Sequence, residues 1–226
     1  NDLGFYSFVL FFFVPLQSNL IDIILKIDMK KYLIIICFLT CWLGASAQSL
    51  REVWINMPDT ISPYLNKNLR TELVDDVKMG VEPAVKNLLD DTTRIDRITK
   101  DYMLVRLSDA SSMEIKLLDN STIALIQTWN APVAESKLTL FNQQWQPRGT
   151  VILPQETIEK PDTITETKFN DIKSLMTPCL RELHFNADDN SLIVSYDYPL
   201  LSKDERNRVK AYRKPVILHW SGKDFR

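Results

Sequence analysis

Residues 102–141 read YMLVRLSDASSMEIKLLDNSTIALIQTWNAPVAESKLTLF, and their reading decides the fold. From about Arg94 the apolar residues recur every second position, through Tyr102–Leu107, Met113–Leu117, Thr122–Trp129 and Lys137–Phe141. A period of two is that of a strand, whose successive side chains point to opposite faces. The links between these runs, Asp109–Ser112, Asp119-Asn120 and Asn130-Ala131-Pro132, are short and rich in turn formers. Four antiparallel strands that pair consecutively as a meander are therefore expected.

Working outward, the flanks turn helical. Ser49 followed by Glu52 fits a capping box for a short helix running to about Met57, where Pro58-Asp59 ends it. Ser62-Pro63 then opens a longer helix from Pro63 to Met79, with Leu65, Leu69, Leu73 and Val77 on one stripe and Gly80 as its stop. After the meander, Pro147, Gly149, Pro154 and Pro161 punctuate a boundary. Beyond it, Phe169, Ile172, Leu175 and Met176 predict a short helix, followed by strands near Leu180–Phe185 and Leu192–Tyr198. Ser202 with Glu205 caps a helix through about Tyr212, and the strand Pro215–Trp220 and a Ser221-Gly222 turn lead to Phe225.

The expected class is α+β, with antiparallel β-sheet units flanked by helices. Residues 48–153 hold the first helices and the meander; residues 154–226 hold a second β-unit with helices, either separate or continuous with the first. Whether the two units share a sheet is open at this level. Asp119-Asn120-Ser121-Thr122-Ile123 recurs as Asp189-Asn190-Ser191-Leu192-Ile193, each at a hairpin turn. Two related modules would explain the echo, as would one good turn chemistry used twice.

Ahead of all this, Met29–Ala47 has the form of a secretory signal. Lys30 and Lys31 supply the positive start, Tyr32–Leu43 the apolar run, and Ala45-Ser46-Ala47 the small-residue cleavage site before Gln48. Residues 1–28 contain no Met and no helical or strand period, and read as translation upstream of the native start. Their apolar run is broken by Pro15 and Asp22, whereas a membrane span needs about 20 largely apolar residues. Ile36 and Thr40, which precede Cys37 and Cys41, are poor residues for a lipoprotein site. An exported chain, periplasmic or extracellular and not stably inserted in the membrane, is expected.

Of 27 Lys and Arg and 29 Asp and Glu, only three Lys and three Asp lie in 1–47, so the net charge of −2 survives cleavage. A balanced surface without a basic stripe argues against nucleic acid as a partner. Beyond the leader only Gly80, Gly149 and Gly222 remain, too far apart for a phosphate loop, a dinucleotide fingerprint or a serine nucleophile elbow. No cofactor and no catalytic residue is assigned.

Weaker candidates remain. His184 and His219 lie in strand patterns; were those strands paired, the two could meet beside Glu182 as a partial metal site or an acid/base pair. The carboxylate groups Glu72/Asp75/Asp76, Asp90/Asp91 and Asp188/Asp189 read as solvated surface, and Asp188-Asp189-Asn190 lacks the spacing of a calcium loop. Cys179, which stands alone beyond the leader, reads as a small buried residue opening a strand. Among Trp54, Trp129, Trp145 and Trp220, core packing is the default, with Trp129 and Trp220 closing strand ends. Trp145, set among Asn142, Gln143, Gln144 and Gln146, is the candidate ligand-binding platform for a sugar ring.

Several segments together resemble a family of exported Bacteroidetes proteins designated only as a domain of unknown function. They are Met57-Pro58-Asp59, Pro63-Tyr64-Leu65 with Asn68 and Arg70, Asp101-Tyr102, Lys116-Leu117-Leu118, Thr128 with Pro132 and Ser136, and Trp145. The resemblance implies an envelope or secreted protein of a Gram-negative bacterium and no particular activity. Asp59, Arg70 and Asp101 are the polar positions it brings forward, with capping or ion pairing as the expected role. The expected function is a non-enzymatic binding or structural module of the cell envelope, with an envelope protein or glycan as partner. The alternative is a carboxylate-dependent hydrolase acting on envelope or glycan polymer.

Overall fold

A computed structural model describes residues 48–130, 133–149, 151–154, 160, 162–211 and 215–226. The upstream segment and the leader lie outside the described residues, as do 131–132, 155–159 and 212–214.

Helix α1 (Leu50–Ile55) opens with the expected capping box, in which Ser49 accepts from the Glu52 N–H and the Glu52 carboxylate accepts from the Ser49 N–H at 2.8 Å. Helix α2 (Lys67–Met79) starts later than its stripe suggested. Its cap is Asn66, whose side chain accepts from the Leu69 N–H at 3.1 Å. Residues 58–65 instead form tight turns, closed by Ile61 N–H to Pro58 O and Leu65 N–H to Ser62 O. Gly80, at φ +72°, ends α2 in the left-handed conformation that glycine adopts without steric cost.

Strands β1 (Ala84–Lys86), β2 (Thr92–Ile98), β3 (Tyr102–Ser108), β4 (Ser111–Asp119), β5 (Thr122–Trp129) and β6 (Glu135–Phe141) form one antiparallel sheet in chain order. The meander β3–β6 is the one expected; β1 and β2 extend it. A register shift between Ile95 and Arg97 and the polar composition of Thr92–Ile98 hide β2 from a periodicity reading.

Both faces of this sheet are covered. On one, Met103, Val105, Met113, Ile115, Ile123 and Leu125 pack with Leu50, Val53, Trp54, Leu65 and Leu73 of the helical layer. On the other, Tyr102, Leu118, Ala124, Ile126 and Leu140 meet Leu183, Phe185, Leu192, Val194 and Leu218. Those partners belong to a second antiparallel sheet of β7 (Leu180–Phe185), β8 (Ser191–Asp197) and β9 (Val216–His219). The two β-units thus form separate sheets packed face to face. Helices α3 (Glu166–Leu175) and α4 (Lys203–Ala211) flank the smaller sheet, where Ile172, Met176, Tyr198, Leu201 and Val209 make a satellite core.

The repeated turns share one geometry. Asp119 accepts from the Ser121 N–H at 2.8 Å and Asp189 from the Ser191 N–H at 2.8 Å, and each also takes the serine hydroxyl. Both β-units then close with an aromatic pair at 5.2 Å, Phe141 with Trp145 and Trp220 with Phe225. Two of the four outer strands are short: β1 has three residues, among them Lys86, and β9 has four and follows Pro215, whereas β6 and β7 have seven and six. Short strands with Lys or Pro offer little template for strand addition.

Candidate functional site

The titratable side chains gather in the seam between the sheets. Strand alternation that sends Met113, Ile115 and Leu117 to the helices sends Glu114, Lys116 and Leu118 to the second sheet. Glu114 is 1% exposed. Its Oε2 accepts from the Tyr102 hydroxyl at 3.2 Å and from the Phe185 N–H at 2.9 Å. Its Oε1 lies 2.6 Å from His184 Nδ1, and Nε2 of the same ring lies 3.1 Å from Glu182 Oε1. A carboxylate facing each ring nitrogen favours the imidazolium form of His184, in which both nitrogens donate. Hydrogen bonds from Glu114 and then Glu182, partly opposed by burial, push its pKa up to about 10. Burial, and then the Glu114 charge, hold the Tyr102 phenol protonated far above its ordinary range.

Lys116 makes the neighbouring contact. Its Nζ lies 2.9 Å from Asp101 Oδ2 and donates to Ala187 O at 3.2 Å, with the Tyr102 ring 6.0 Å away. Ser136 completes the line by accepting from the Leu183 N–H at 3.0 Å and bonding Thr128 at 2.8 Å. Phe185 and Leu183 are strand residues whose N–H groups point away from β8, and Glu114 and Ser136 satisfy them. The Glu114 carboxylate and the Ser136 hydroxyl therefore compensate backbone donors that the edge of β7 would otherwise bury unpaired.

His184 and His219 are not brought together. Strand β8 lies between β7 and β9, with His184 opposite Ile193 and His219 opposite Ser191. The expected Glu182 partner of His184 is present, but among the described residues no three His, Cys, Asp or Glu side chains converge as metal ligands. Cys179 is exposed rather than buried, and partial burial of its thiol raises the pKa despite a hydrogen bond with Tyr198, which disfavours the thiolate.

Trp145 corrects the sugar-platform expectation. It is 6% exposed, its Nε1–H donates to Val53 O at 3.1 Å, and its ring packs in the helix-side core. Asn142 drives it inward by accepting from the Gln144 and Gln146 N–H groups, which forms a turn with Trp145 at φ +58°. The glutamines that suggested a polar platform are the outside of that turn. Trp54 is buried and donates to Arg70 O at 2.8 Å. Trp129 is 48% exposed instead of closing the core, because it pairs with Ser111 and Glu135 at the polar end of the sheet.

Arg70 and Asp101 have the roles expected of them. The buried Arg70 guanidinium pairs with Asp59 at 2.8 Å and donates to the carbonyls of Leu65 and Met57, tying α1, the turns and α2 together. Asp75 pairs with Arg51 and Asp188 with Arg97 on the surface.

A groove of about 470 Å³ opens at one end of the inter-sheet seam. The β4–β5 turn, the chain after β6 and the C-terminal turn converge there, and Thr122, Leu140, Arg148, Trp220, Lys223 and Phe225 line it. Trp220 Nε1–H donates to Asp119 Oδ2 at 3.2 Å. Arg148 Nη1 donates to Thr122 Oγ1 at 2.6 Å and reaches Ser121 Oγ at 3.3 Å. Burial raises the Asp119 carboxyl's pKa, but the donors of Ser121, Thr122 and Trp220 outweigh it and hold the group below its ordinary value. The repeated turn signalled a hairpin in the sequence, not that an Arg and a Trp from distant segments would anchor on it.

Among the described residues no helix is long and apolar enough to cross a membrane. No curated protein matches the chain. A solved domain of an uncharacterized protein from Porphyromonas gingivalis W83 has a similar fold, with a TM-score of 0.63 at 16% identity over 78% of this chain and 96% of that one. Residues 42–225 match one family model, and the chain belongs to that family, described as Protein of unknown function (DUF3256).

Proposed function

We propose that the protein is an exported, non-catalytic binding module of a Gram-negative cell envelope, received there by an envelope protein or glycan. The observation that carries this reading is how the reactive side chains are used. His184 has a carboxylate on each ring nitrogen, Glu114 accepts from three donors, and Lys116 is spent on Asp101 and Ala187 O. A general base needs an open lone pair, and a glycosidase needs two carboxyl groups facing a cleft from either side of the substrate. Glu114 and Glu182 instead share one imidazolium, so the hydrolase reading draws no support from them. The surface on which this reading places a ligand is the groove beside Trp220.

Support for export comes from the Met29–Ala47 leader, and support for a Bacteroidetes source from the motifs noted above and the Porphyromonas gingivalis domain of similar fold. Cell fractionation with amino-terminal sequencing of the natural product is the test. The expected result is a chain that begins at Gln48 outside the cytoplasm; an intact leader on a cytoplasmic protein would overturn the reading.

A further inference from the structure

The groove joins three segments far apart in sequence, and each contributes a different chemistry. The C-terminal turn supplies the Trp220 indole, the chain after β6 supplies the Arg148 guanidinium, and the apolar floor is Leu140 and Phe225. Both functional side chains are fastened to the same post, the Asp119–Thr122 turn. Trp220 is held through Nε1 on Asp119, and Arg148 through Nη1 on Ser121 and Thr122. Asn190 of the second repeated turn braces that post by donating to Leu118 O at 2.9 Å, and its own carbonyl accepts from the Trp220 N–H at 3.1 Å. Side chains fixed before a ligand arrives lose little entropy when it binds.

Charge in the groove is not balanced. Every acceptor of Arg148 is neutral: Ser121 O, Ser121 Oγ and Thr122 Oγ1. Its Nε and Nη2 have no acceptor among the described residues, and Lys223, which also lines the groove, has no carboxylate within ion-pair distance among them. Asp224, the acidic residue among the described lining, is turned to Ser221 and lies 4.0 Å from Arg226 Nε, while the nearby Asp119 carboxylate is taken up by Trp220 Nε1–H and the Ser121 donors. A guanidinium with a free fork is suited to a planar carboxylate, which it binds through two parallel hydrogen bonds. An indole beside it suits the C–H face of a sugar ring, since a large flat apolar surface loses little rotamer freedom on contact. The volume lies within the range of small-molecule sites.

We propose that this groove binds an acidic saccharide, with a uronic-acid ring against Trp220 and its carboxylate on Arg148, and with Lys223 attracting the charge from the rim. This rests on the binding-module reading and supplies its ligand class.

The test is calorimetric titration of the purified protein with digalacturonate, its neutral counterpart digalactose, and inorganic phosphate, alongside the Trp220 indole N–H resonance. Saturable digalacturonate binding is expected, at least tenfold tighter than digalactose and phosphate, with a shift of the Trp220 resonance. Arg148→Gln should weaken it at least tenfold, and Lys223→Gln, in an exposed turn, severalfold. Absence of saturation at millimolar digalacturonate, or an unmoved Trp220 resonance in the unaltered protein, overturns the proposal even if Arg148→Gln fails to fold. Equal binding of digalactose overturns the acid recognition, and equal binding of phosphate overturns the saccharide. If digalacturonate fails while the natural product is still found outside the cytoplasm, only the ligand assignment falls.

Discussion

Replacing Glu114 with alanine should loosen the attachment of the second sheet, and the size of the effect can be worked from its contacts. The carboxylate serves the Tyr102 hydroxyl, the Phe185 N–H and His184 Nδ1. Tyr102 and Phe185 are buried at 5% and 5% exposure, so the variant leaves two donors without an acceptor or water. Each such group costs about 1–3 kcal/mol. His184 adds less, because its side chain is 45% exposed and keeps Glu182. The sum is about 4 kcal/mol, in line with about 3–5 kcal/mol for breaking a buried charged pair. Against a typical total of about 5–15 kcal/mol this is a large share. Urea unfolding followed by circular dichroism should show the midpoint falling by roughly 2 M, given a slope of about 2 kcal/mol/M. Glu114→Gln should fall between, since an amide keeps one acceptor but turns N–H toward one of the three donors. A Glu114→Ala midpoint within about 0.5 M of the parent, or about 1 kcal/mol at that slope, would refute the reasoning, because that is the effect of an ordinary substitution.

Other outcomes follow from the same contacts. Trp145→Ala removes a buried ring and its bond to Val53 O and should destabilise by about 3–5 kcal/mol in the same assay; a surface platform would change little. Arg70→Met should cost on the order of 3 kcal/mol, read as a lowered thermal midpoint, because the Met57 and Leu65 carbonyls lose a charged donor. Folding raises the His184 pKa from 6.5 to about 10, so its contribution is complete below pH 6.5 and fades as pH rises to about 10. The stability difference between the parent and His184→Gln should accordingly shrink across that window, and a difference that grows with pH would contradict it.

The meander was legible because β3–β6 are apolar runs of strand length and their links are two to five residues that include Asp, Asn, Ser and Pro. The second unit was legible from its helix caps, notably Ser202 with Glu205, whose reciprocal bonds are present. What escaped was the pairing of layers. Leu104, Leu118, Ala124 and Ile126 sit on the face opposite Met103, Ile115 and Leu125, so the strands are apolar on both sides, the mark of a sheet covered twice. Read that way, Glu114 and Lys116 fall on a buried face and call for partners. The sequence does not show those partners, because His184, Phe185 and Ala187 lie some seventy positions away. Trp145 misled for a related reason: its polar neighbours face out because Asn142 caps the turn that turns the indole in.

Glu114, His184 and Lys116 join the two sheets, and a carboxylate on each ring nitrogen leaves His184 no open lone pair. Imidazole nitrogen NMR of His184 in the intact protein tests it most directly. Both ring nitrogens should be protonated at neutral pH and remain so until about pH 10, with separate bonds to Glu114 and Glu182. A neutral ring at pH 7, with one nitrogen lone pair exposed to solvent, would contradict the account.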